Sequence, residues 1–272
     1  MEKDFAICYM VAGMSSRFGG RIKQFAKVGP DGESLIEYSL NQAIKVGFNK
    51  IVFIVGEKTE KPFREMFGDE YKGVSVFYTK QVFDSKVRDK PWGTTDALCS
   101  IKDIIDCPFV VCNGDDIYGV NSFRVLYDSL NDGDGECVTL GYELGGTLPD
   151  FGSVNRGVYN LDADSYVKNI DETIGIEKNG LDEIGLNEKM KVSMNIFALY
   201  PDIVFKLNEA LTLFKENNKG NRTIECYLPV ELSNLIDKGE VRMKCCSTND
   251  KWFGVTNPED EEVVREKLKR IE

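Results

Sequence analysis

FAICYMVAGMSSRFGG spans residues 5–20 and is the stretch that decides the fold. Residues 5–12 form an apolar run with no polar alternation, which predicts a strand that is covered on both faces. Three glycines and two serines follow in residues 13–20, a composition typical of a turn. Backbone N–H groups and hydroxyls of such a turn can approach an anion closely. The junction therefore predicts an α/β fold with a ligand-binding loop at the end of its first strand.

The first half of the chain continues with short apolar runs that alternate with helical patterns. The predicted strands are 5–12, 50–55, 74–78 and 109–112, and the predicted helices are 35–46, 60–67, 95–105 and 120–130. This alternation is typical of βαβ units and predicts a Rossmann-like, mixed, mostly parallel central sheet with helices on both faces. Ligands of such sheets bind beyond the carboxyl ends of the strands, so the loops after the first and fourth strands are the candidate site.

The second half of the chain has more strands and more polar connections. The predicted strands are 137–144, 152–161, 166–170, 192–199 and 241–246, and the predicted helices are 203–214, 224–235 and 258–271. Pro229 predicts a kink or a late start in the second of these helices. The charged segment 172–191 is predicted to be a mobile loop. We predict one domain over 1–272, made of two halves (about 1–135 and about 136–272).

Composition excludes several classes of protein and site. The 272 residues contain no histidine, which excludes Ser-His-Asp and Cys-His catalysis and disfavours a zinc site. The net charge of −11 disfavours a nucleic-acid partner. No apolar run approaches the roughly 20 residues that span a bilayer, and no signal peptide is evident. The eight cysteines form no CxxC pair, so we expect reduced, buried thiols and a cytoplasmic protein.

Two clusters of charge could carry chemistry in this acidic chain. The first comprises Arg17, Arg21, Lys23 and Lys27, which either bind an anion or are solvated cations of a turn. The second is the NGDD segment at residues 113–116, which is either an acidic turn or a metal-binding strand end. Their positions after the first and fourth predicted strands favour one shared site.

Several segments in order along the chain resemble sugar-1-phosphate nucleotidyltransferases (NDP-sugar pyrophosphorylases). Residues 6–38 resemble the family's A-G-x-x-[ST]-R loop, the lysine that follows it and the L-I-x-Y helix start. Residues 90–98 resemble its G-T-x-x-A-[LV] nucleotide loop, and 110–116 its hydrophobic strand ending in G-D. Segments 151–154 and 194–197 resemble its Y-G-V-V and N-x-G-[IL] elements. The resemblance runs from about residue 4 to 257 and implies a glycosyltransferase-A-like nucleotidyltransferase fold. It also implies that the first half (about 1–135) is nucleotide-binding and the second half (about 136–272) sugar-phosphate-binding.

The resemblance also implies an activity and a set of site residues. A family member transfers a nucleotidyl group from a nucleoside triphosphate to a sugar 1-phosphate with Mg²⁺, and often forms a homo-oligomer. The implied catalytic residues are Arg17, Lys23 and Asp115, and Asp115 is also the implied metal ligand. The implied nucleotide-binding residues are Ala12, Gly13, Met14, Ser15, Ser16, Gln81, Gly93, Thr94 and Asn113. The implied acceptor-binding residues are Gly152, Glu172 and Asn195. Gln81 would read a pyrimidine edge, which favours UTP or dTTP and leaves CTP open.

The chain departs from the family pattern at two places. A second metal-binding aspartate is absent from the segment 252–257, where Thr256 or Asn257 would have to substitute. Thr173 stands where the family has a lysine after the sugar-binding glutamate, and Lys168 or Lys178 could replace that charge. Both departures affect the acceptor half of the site.

These departures leave three alternative functions open. The first is a cytidylyltransferase for a non-sugar phosphate such as phosphocholine. The second is a non-catalytic sensor of nucleotides or sugar phosphates on the same fold. The third is a glycosyltransferase, which the adjacent aspartates at 115–116 disfavour because that class usually has D-x-D. The long charged segment 82–92 is predicted to be either a lid over the nucleotide or a solvated loop.

Overall fold

The computed structural model describes residues 3–13, 18–133, 135–255, 258 and 260–270. Its strands are β1 (Ala6–Val11), β2 (Lys50–Val55), β3 (Glu70–Tyr71), β4 (Val74–Lys80), β5 (Phe109–Asn113), β6 (Asp116–Ile117), β7 (Cys137–Leu140), β8 (Tyr142–Glu143), β9 (Ser153–Leu161), β10 (Val167–Glu177), β11 (Lys191–Ser193), β12 (Phe197–Leu199), β13 (Met243–Cys246) and β14 (Phe253–Gly254). Its α-helices are α1 (Leu35–Val46), α2 (Glu60–Phe67), α3 (Thr94–Cys99), α4 (Val120–Asp132), α5 (Pro201–Asn217), α6 (Leu228–Asp237) and α7 (Asp260–Leu268).

The central sheet has the strand order β13-β7-β12-β5-β1-β2-β4-β3. The pairs β1–β2, β1–β5, β2–β4 and β7–β13 are parallel, whereas β12 is antiparallel to both of its neighbours. This arrangement confirms the predicted mixed, mostly parallel sheet. Strands from both halves of the chain contribute to it.

Strand β1 explains why the sheet carries helices on both faces. Its six residues are all buried, and successive side chains point to opposite faces. Ile7, Tyr9 and Val11 pack into one core with residues of α1, α2 and α4. Ala6, Cys8 and Met10 pack into a second core with residues of α3, α5 and α6. Because side chains on both faces of β1 are buried, the run at residues 5–12 contains no polar residue that alternates with the apolar ones.

The second half of the chain adds a second sheet of four antiparallel strands in the order β10-β9-β11-β8. A two-stranded pair, β6–β14, lies beside the end of β5. A third, smaller hydrophobic cluster contains Phe18, Val28 and Leu35 together with Ile117 and Val255, and it fixes the loop after β1 against α1 and this strand pair.

Several predicted elements differ from the structure. The predicted mobile loop 172–191 is wrong over its first six residues, because Glu172–Glu177 belong to β10, which pairs with β9. Helix α3 ends at Cys99, before the predicted 105. Helix α6 begins only at Leu228, with Pro229 in its first turn, where a missing N–H costs nothing. The predicted strand 192–199 is interrupted at Asn195, whose φ is +54°.

The predicted thiols and the absence of membrane spans can also be checked. All eight cysteines are free, and seven of them are buried. Across the described ranges, the structure contains no helix with the length and apolarity needed to traverse a bilayer.

Candidate active site

The ends of three neighbouring strands meet at one edge of the central sheet. Because β1, β2 and β5 are parallel and in register, Ala12, Gly56 and Gly114 follow their last residues at this edge. A Cβ on Gly56 would lie 2.8 Å from the carbonyl oxygen of Ala12, and one on Gly114 would overlap the side chain of Val11. The chain approaches itself too closely here for larger residues, so these two positions require glycine.

The predicted phosphate loop begins at this edge. At Gly13 an added Cβ would have no atom within 4 Å among the described residues, so the backbone lies beside open space. Met14, Ser15, Ser16 and Arg17 lie outside the described residues, and their roles stay predictions. Downstream, buried Phe18 anchors the loop, and Arg21 pairs with Glu261 of α7 at 3.1 Å.

Lys23 and Asp115 connect the loop after β1 to the loop after β5. The Lys23 ammonium contacts Oδ2 of Asp115, and both side chains are about a quarter exposed, at 22% and 24%. Lys27 is occupied elsewhere, because its ammonium lies 3.3 Å from Glu37 and its carbonyl accepts hydrogen bonds from Arg265. The structure thus places Lys23, of these two lysines, beside the acidic strand end.

The second aspartate of NGDD is buried and hydrogen-bonded. Oδ2 of Asp116 accepts from the Asn113 amide at 2.9 Å and from the Tyr118 hydroxyl at 3.2 Å. Burial, and then the neighbouring Asp115 charge, raise the pKa of Asp116 to about 7. The Tyr118 hydroxyl has one proton, which it shares between Asp116 and the carbonyl of Met194 at 2.8 Å, and this contact ties the strand end to the second half of the chain.

Few oxygen donors among the described residues at this edge are available to hold Mg²⁺. Gly254 lies in the segment 252–257, where the second metal-binding aspartate was expected, and it pairs with Asp116. A Cβ on Gly254 would lie 3.0 Å from Asp116 Oδ1, so the Asp116 carboxylate lies beside that segment. Thr256 and Asn257 lie outside the described residues. Asp250 instead caps α4 by accepting the N–H of Ser122 at 2.8 Å.

Within the described ranges, no three Asp, Glu or Cys side chains form a metal cage. Magnesium usually takes one or two carboxylates and completes its shell with water and phosphate oxygens. The available donors, with Asp115 partly exposed next to buried Asp116, fit an ion that arrives with a triphosphate.

Gln81 lies at the same sheet edge, at the end of β4. Its backbone N–H donates to Val55 at 2.9 Å, and its side chain is buried. The Gln81 amide donates to the Gly93 carbonyl at 2.9 Å and to Asp96 at 2.8 Å. Thr94, by contrast, accepts the N–H of Leu228 at 2.8 Å and so supports the start of α6. Gln81 and Gly93, predicted from separate motifs, are therefore in direct contact.

The segment 82–92 is fastened to the segment 221–226. Arg88, only 3% exposed, donates to the carbonyls of Asn221 and Ile224 at 2.7 and 2.5 Å. Its guanidinium also lies 3.5 Å from the centroid of the Trp92 ring. These contacts hold the segment against residues 221–226 as a surface loop. The alternative that it closes over the nucleotide as a lid stays a prediction.

Strands β9 and β11 bring Glu172 and Asn195, two of the predicted acceptor-binding residues, toward one another. Glu172 pairs with Gly157, which in turn pairs with Ser193, and Ser193 Oγ accepts the N–H of Asn195 at 3.3 Å. Burial raises the pKa of Glu172. Oδ1 of Asn195 is buried and has no hydrogen-bond partner among the described residues. At such an acceptor a water or a ligand can donate a hydrogen bond.

Gly152 does not join this group. It precedes β9 at the end where Ser153 pairs with Glu177, about 15 Å along the strand from the Gly157–Glu172 pair. Its φ of +84° fits a turn glycine. The structure therefore separates Gly152 from the other two predicted acceptor residues.

Arg156 is a candidate that the sequence motifs did not reveal. It pairs across β9–β10 with Thr173, which stands where the resemblance predicts a lysine. Its guanidinium donates to the Thr147 carbonyl at 2.7 Å and lies 5.5 Å from the Trp252 ring centroid. Burial lowers the pKa of Arg156, and the charges of Asp116 and Glu172 act in the opposite direction. Only the alternation of β9, combined with its register, could have identified this cation. The predicted replacements lie outside this pairing, because Lys168 is exposed and Lys178 pairs with Asp150 at 2.7 Å.

Comparison with known proteins identifies similar chains. The family model for nucleotidyl transferases matches residues 20–260. The UTP--glucose-1-phosphate uridylyltransferase AglF of Haloferax volcanii is 32% identical over 91 residues. That alignment covers 34% of this chain and 34% of AglF, so the chain matches about a third of this relative's length.

Similar solved structures cover nearly the whole chain. A Bacillus anthracis protein assigned as a glucose-1-phosphate thymidylyltransferase, solved with sucrose, superposes with a TM-score of 0.70 at 17% identity, covering 100% of this chain and 97% of that one. The inositol-1-phosphate CTP transferase of T. maritima superposes with a TM-score of 0.67 at 15% identity, with 98% of this chain and 96% of that one covered. A UDP-glucose pyrophosphorylase bound to UDP-glucose gives 0.66 at 15% identity, with 100% of both chains covered. At these identities the likeness concerns the fold.

Proposed function

Because this chain belongs to the nucleotidyl transferase family, we propose that it transfers a nucleotidyl group from a nucleoside triphosphate to a sugar 1-phosphate. The products would be an NDP-sugar and pyrophosphate, and UTP or dTTP is the favoured donor. The observation that carries the proposal is the contact between Lys23 and Asp115 at the sheet edge where β1 and β5 end. A cation and a carboxylate held together there suit a triphosphate and its counter-ion.

The proposed reaction needs little from the protein beyond positioning and charge. An oxygen of the sugar phosphate attacks the α-phosphorus, a new P–O bond forms, and the bond to the bridging oxygen of pyrophosphate breaks. The attacking oxygen is already anionic, so the reaction needs no general base to deprotonate it. The absence of histidine from this chain is therefore compatible with the reaction. Lys23 would neutralise charge near the α-phosphate, while Gly13, Ser15, Ser16 and Arg17 would hold the triphosphate.

We further propose Asp115 as the Mg²⁺ ligand, with Asp116 in place of the missing second aspartate. Bound Mg²⁺ would neutralise charge on the triphosphate and the leaving group. Asp115 would orient the ion, and the Asn113 and Tyr118 hydrogen bonds would hold the Asp116 carboxylate beside it. Thr256 and Asn257 remain the predicted alternatives from the sequence.

On the acceptor side, we propose that Glu172 and Asn195 bind the sugar hydroxyls and that Arg156 supplies the cation for the sugar phosphate. The Glu172 carboxylate and the Oδ1 of Asn195, which has no partner among the described residues, are acceptors, which suits hydroxyl donors. Arg156 lies opposite Thr173, where the family's lysine is missing. A cytoplasmic location is also part of the proposal and is supported by the eight unpaired cysteines.

A thermal-shift screen of four nucleoside triphosphates against several sugar 1-phosphates and phosphocholine, with and without Mg²⁺, tests the proposal. We expect Mg²⁺-dependent stabilisation by a pyrimidine triphosphate, and pyrophosphate release only with a sugar 1-phosphate. Asp115→Ala and Arg17→Ala should abolish both signals. Asp103→Ala, which removes an exposed carboxylate in the turn before β5, is the matched control and should behave like the wild type.

Three results would contradict the proposal in different ways. Equal nucleotide binding by Asp115→Ala would remove the site assignment. Nucleotide binding without pyrophosphate release, with any acceptor, would favour the sensor. Turnover of CTP with phosphocholine alone would favour the alternative cytidylyltransferase.

A further inference from the structure

The amide of Gln81 has both of its hydrogens occupied inside the protein. Nε2 donates to the Gly93 carbonyl at 2.9 Å and to Oδ2 of Asp96 at 2.8 Å. A primary amide has only two N–H donors, so none is left for a ligand. The group that remains is Oε1, to which nothing in the described part of the chain donates a hydrogen bond. Gln81 can therefore meet a nucleobase only as a hydrogen-bond acceptor.

The chemistry of its two partners fixes the orientation of this amide. A backbone carbonyl and a carboxylate are both acceptors without a proton to donate. Rotating the Gln81 amide by half a turn would put Oε1 against two other oxygens and would leave buried acceptors unpaired. The orientation thus follows from the identity of Asp96 and from the Gly93 carbonyl, and one partner alone would constrain it less.

Asp96 is itself held in place by a residue far away in the sequence. The ammonium of Lys215, near the end of α5, contacts Oδ1 of Asp96, while Oδ2 receives the Gln81 amide. The Asp96 side chain is 10% exposed and that of Lys215 is 36% exposed. Phe214, the neighbour of Lys215, packs edge-on against Trp92, with the ring centroids 6.2 Å apart. The carboxylate is therefore oriented by a charged hydrogen bond on one side and by the amide on the other.

We infer that Asp96 and Lys215 are positioning residues that present Gln81 Oε1 to the nucleobase and so select bases with a protonated ring nitrogen. Uracil and thymine carry N3–H and would donate to Oε1. Cytosine has a lone pair at N3, which would repel the lone pairs of Oε1. Both N3 and Oε1 would then be buried without a hydrogen-bond donor. This inference rests on the proposed function, in which Gln81 faces the base. It adds the discrimination of UTP and dTTP from CTP, and names the residues that enforce it.

Isothermal titration calorimetry of the wild-type protein with UTP and with CTP, in the presence of Mg²⁺, tests the inference without knowledge of the acceptor. For the wild type we expect UTP to bind at least about 10-fold more tightly than CTP, the scale of one misplaced buried hydrogen bond. Asp96→Ala should reduce this ratio to within about 3-fold, mainly by weakening UTP. Asp96→Asn keeps an acceptor for the Gln81 amide and should restore most of the ratio. Lys215→Met should lower the ratio less than Asp96→Ala does.

Two further variants separate positioning from a structural effect. Lys206→Met is the matched control, because Lys206 also lies on α5 but bonds Glu240 and Asp202 instead; its ratio should equal that of the wild type. In a Gln81→Ala background, Asp96→Ala should change the ratio no further, since Asp96 acts through Gln81. Thermal midpoints of every variant show whether each one is folded at the titration temperature.

The outcomes distinguish this inference from the proposed function. If the wild type binds no nucleoside triphosphate, the proposed function is wrong. If it binds UTP and CTP equally, or if Asp96→Ala keeps the wild-type ratio, the inference is overturned while the proposed function stands. If Asp96→Ala changed the ratio of UTP to CTP affinity further in the Gln81→Ala background, the inference would also be overturned, because Asp96 would then contact the base directly.

Discussion

Gly93 lies where two backbone segments meet at the base end of the site. Its φ is +100°, and a Cβ would lie 2.5 Å from the carbonyl oxygen of Cys226 and 2.8 Å from its nitrogen. Gly93→Ala therefore combines a left-handed conformation with overpacking and should cost about 3 kcal/mol of unfolding free energy. Urea denaturation measures this cost. Gly146→Ala is the control, because its Cβ would have no neighbour within 4 Å and no positive φ is required; an equal loss in both variants would contradict the explanation.

Asn195 combines an uncommon backbone conformation with an unfilled side-chain acceptor. Glycine accepts its φ of +54° without strain, so Asn195→Gly should change the unfolding free energy by no more than about 1 kcal/mol. The same variant removes Oδ1 and should raise the KM for the acceptor about 10-fold with the KM for the nucleotide unchanged. Steady-state kinetics with each substrate varied in turn measures the two constants. An unchanged acceptor KM would show that the conformation serves the fold alone.

At the scale of elements, the helix starts show what a local sequence can determine. Helices α1 and α2 begin and end at the predicted residues because their signals are local, such as the Ser34–Glu37 capping box and the glycines that follow each helix. The first part of β10 was predicted as the strand 166–170, but residues 172–177 were predicted to be a loop because their charged residues carry no local signal for a strand, and only pairing with β9 makes one.

The candidate site shows the same division between local and distant information. Lys23, Asp115 and Gln81 were identified from motifs, and the parallel sheet gathers the loops that carry them. Asp96, Lys215 and Arg156 were missed. The partner of Asp96 lies 119 residues away, and the position of Arg156 depends on strand register. Neither relation can be derived from spacing in one sequence.

The capping box of α1 allows a pH-dependent prediction. Burial alone would raise the pKa of Glu37, but hydrogen bonds from Ser34 and then Lys27 outweigh it, and the net pKa is lowered. A carboxylate with a lowered pKa in the folded state stabilises the fold above its ordinary pKa of about 4.3, and this contribution is lost as the pH falls further. Ser34→Ala should therefore cost about 1 kcal/mol at pH 7 and progressively less on acidification below about pH 4.5.

Urea denaturation of the wild type and Ser34→Ala at pH 7, 5 and 4 measures this dependence. Ser129→Ala is the matched control, because Ser129 lies inside α4 and its hydroxyl donates to the Val125 carbonyl at 2.7 Å, with no carboxylate involved. Its effect should be independent of pH. A cost for Ser34→Ala that stays constant over this range would mean that Glu37 contributes nothing through the box.

At the scale of the whole molecule, the cysteines report on how completely the two main cores exclude solvent. Seven thiols are buried and Cys246 is partly buried. Burial raises the pKa of Cys107 to about 11 and that of Cys99, Cys137, Cys226 and Cys245 to about 12. Because the thiolate is the reactive form, these thiols should be inert toward a disulfide reagent at pH 8 while the protein is folded.

Titration with an aromatic disulfide reagent should find eight reactive thiols in guanidinium chloride and at most one rapidly reacting thiol in the native protein. That thiol should be Cys246, so Cys246→Ser should remove the rapid phase, whereas Cys107→Ser should leave it unchanged. The thermal midpoint should be the same with and without a reducing agent, since no disulfide links the cores. Fewer than eight thiols after unfolding would reveal a disulfide, and several rapid thiols in the folded protein would mean that the cores on the two faces of β1 open to solvent far more often than their packing implies.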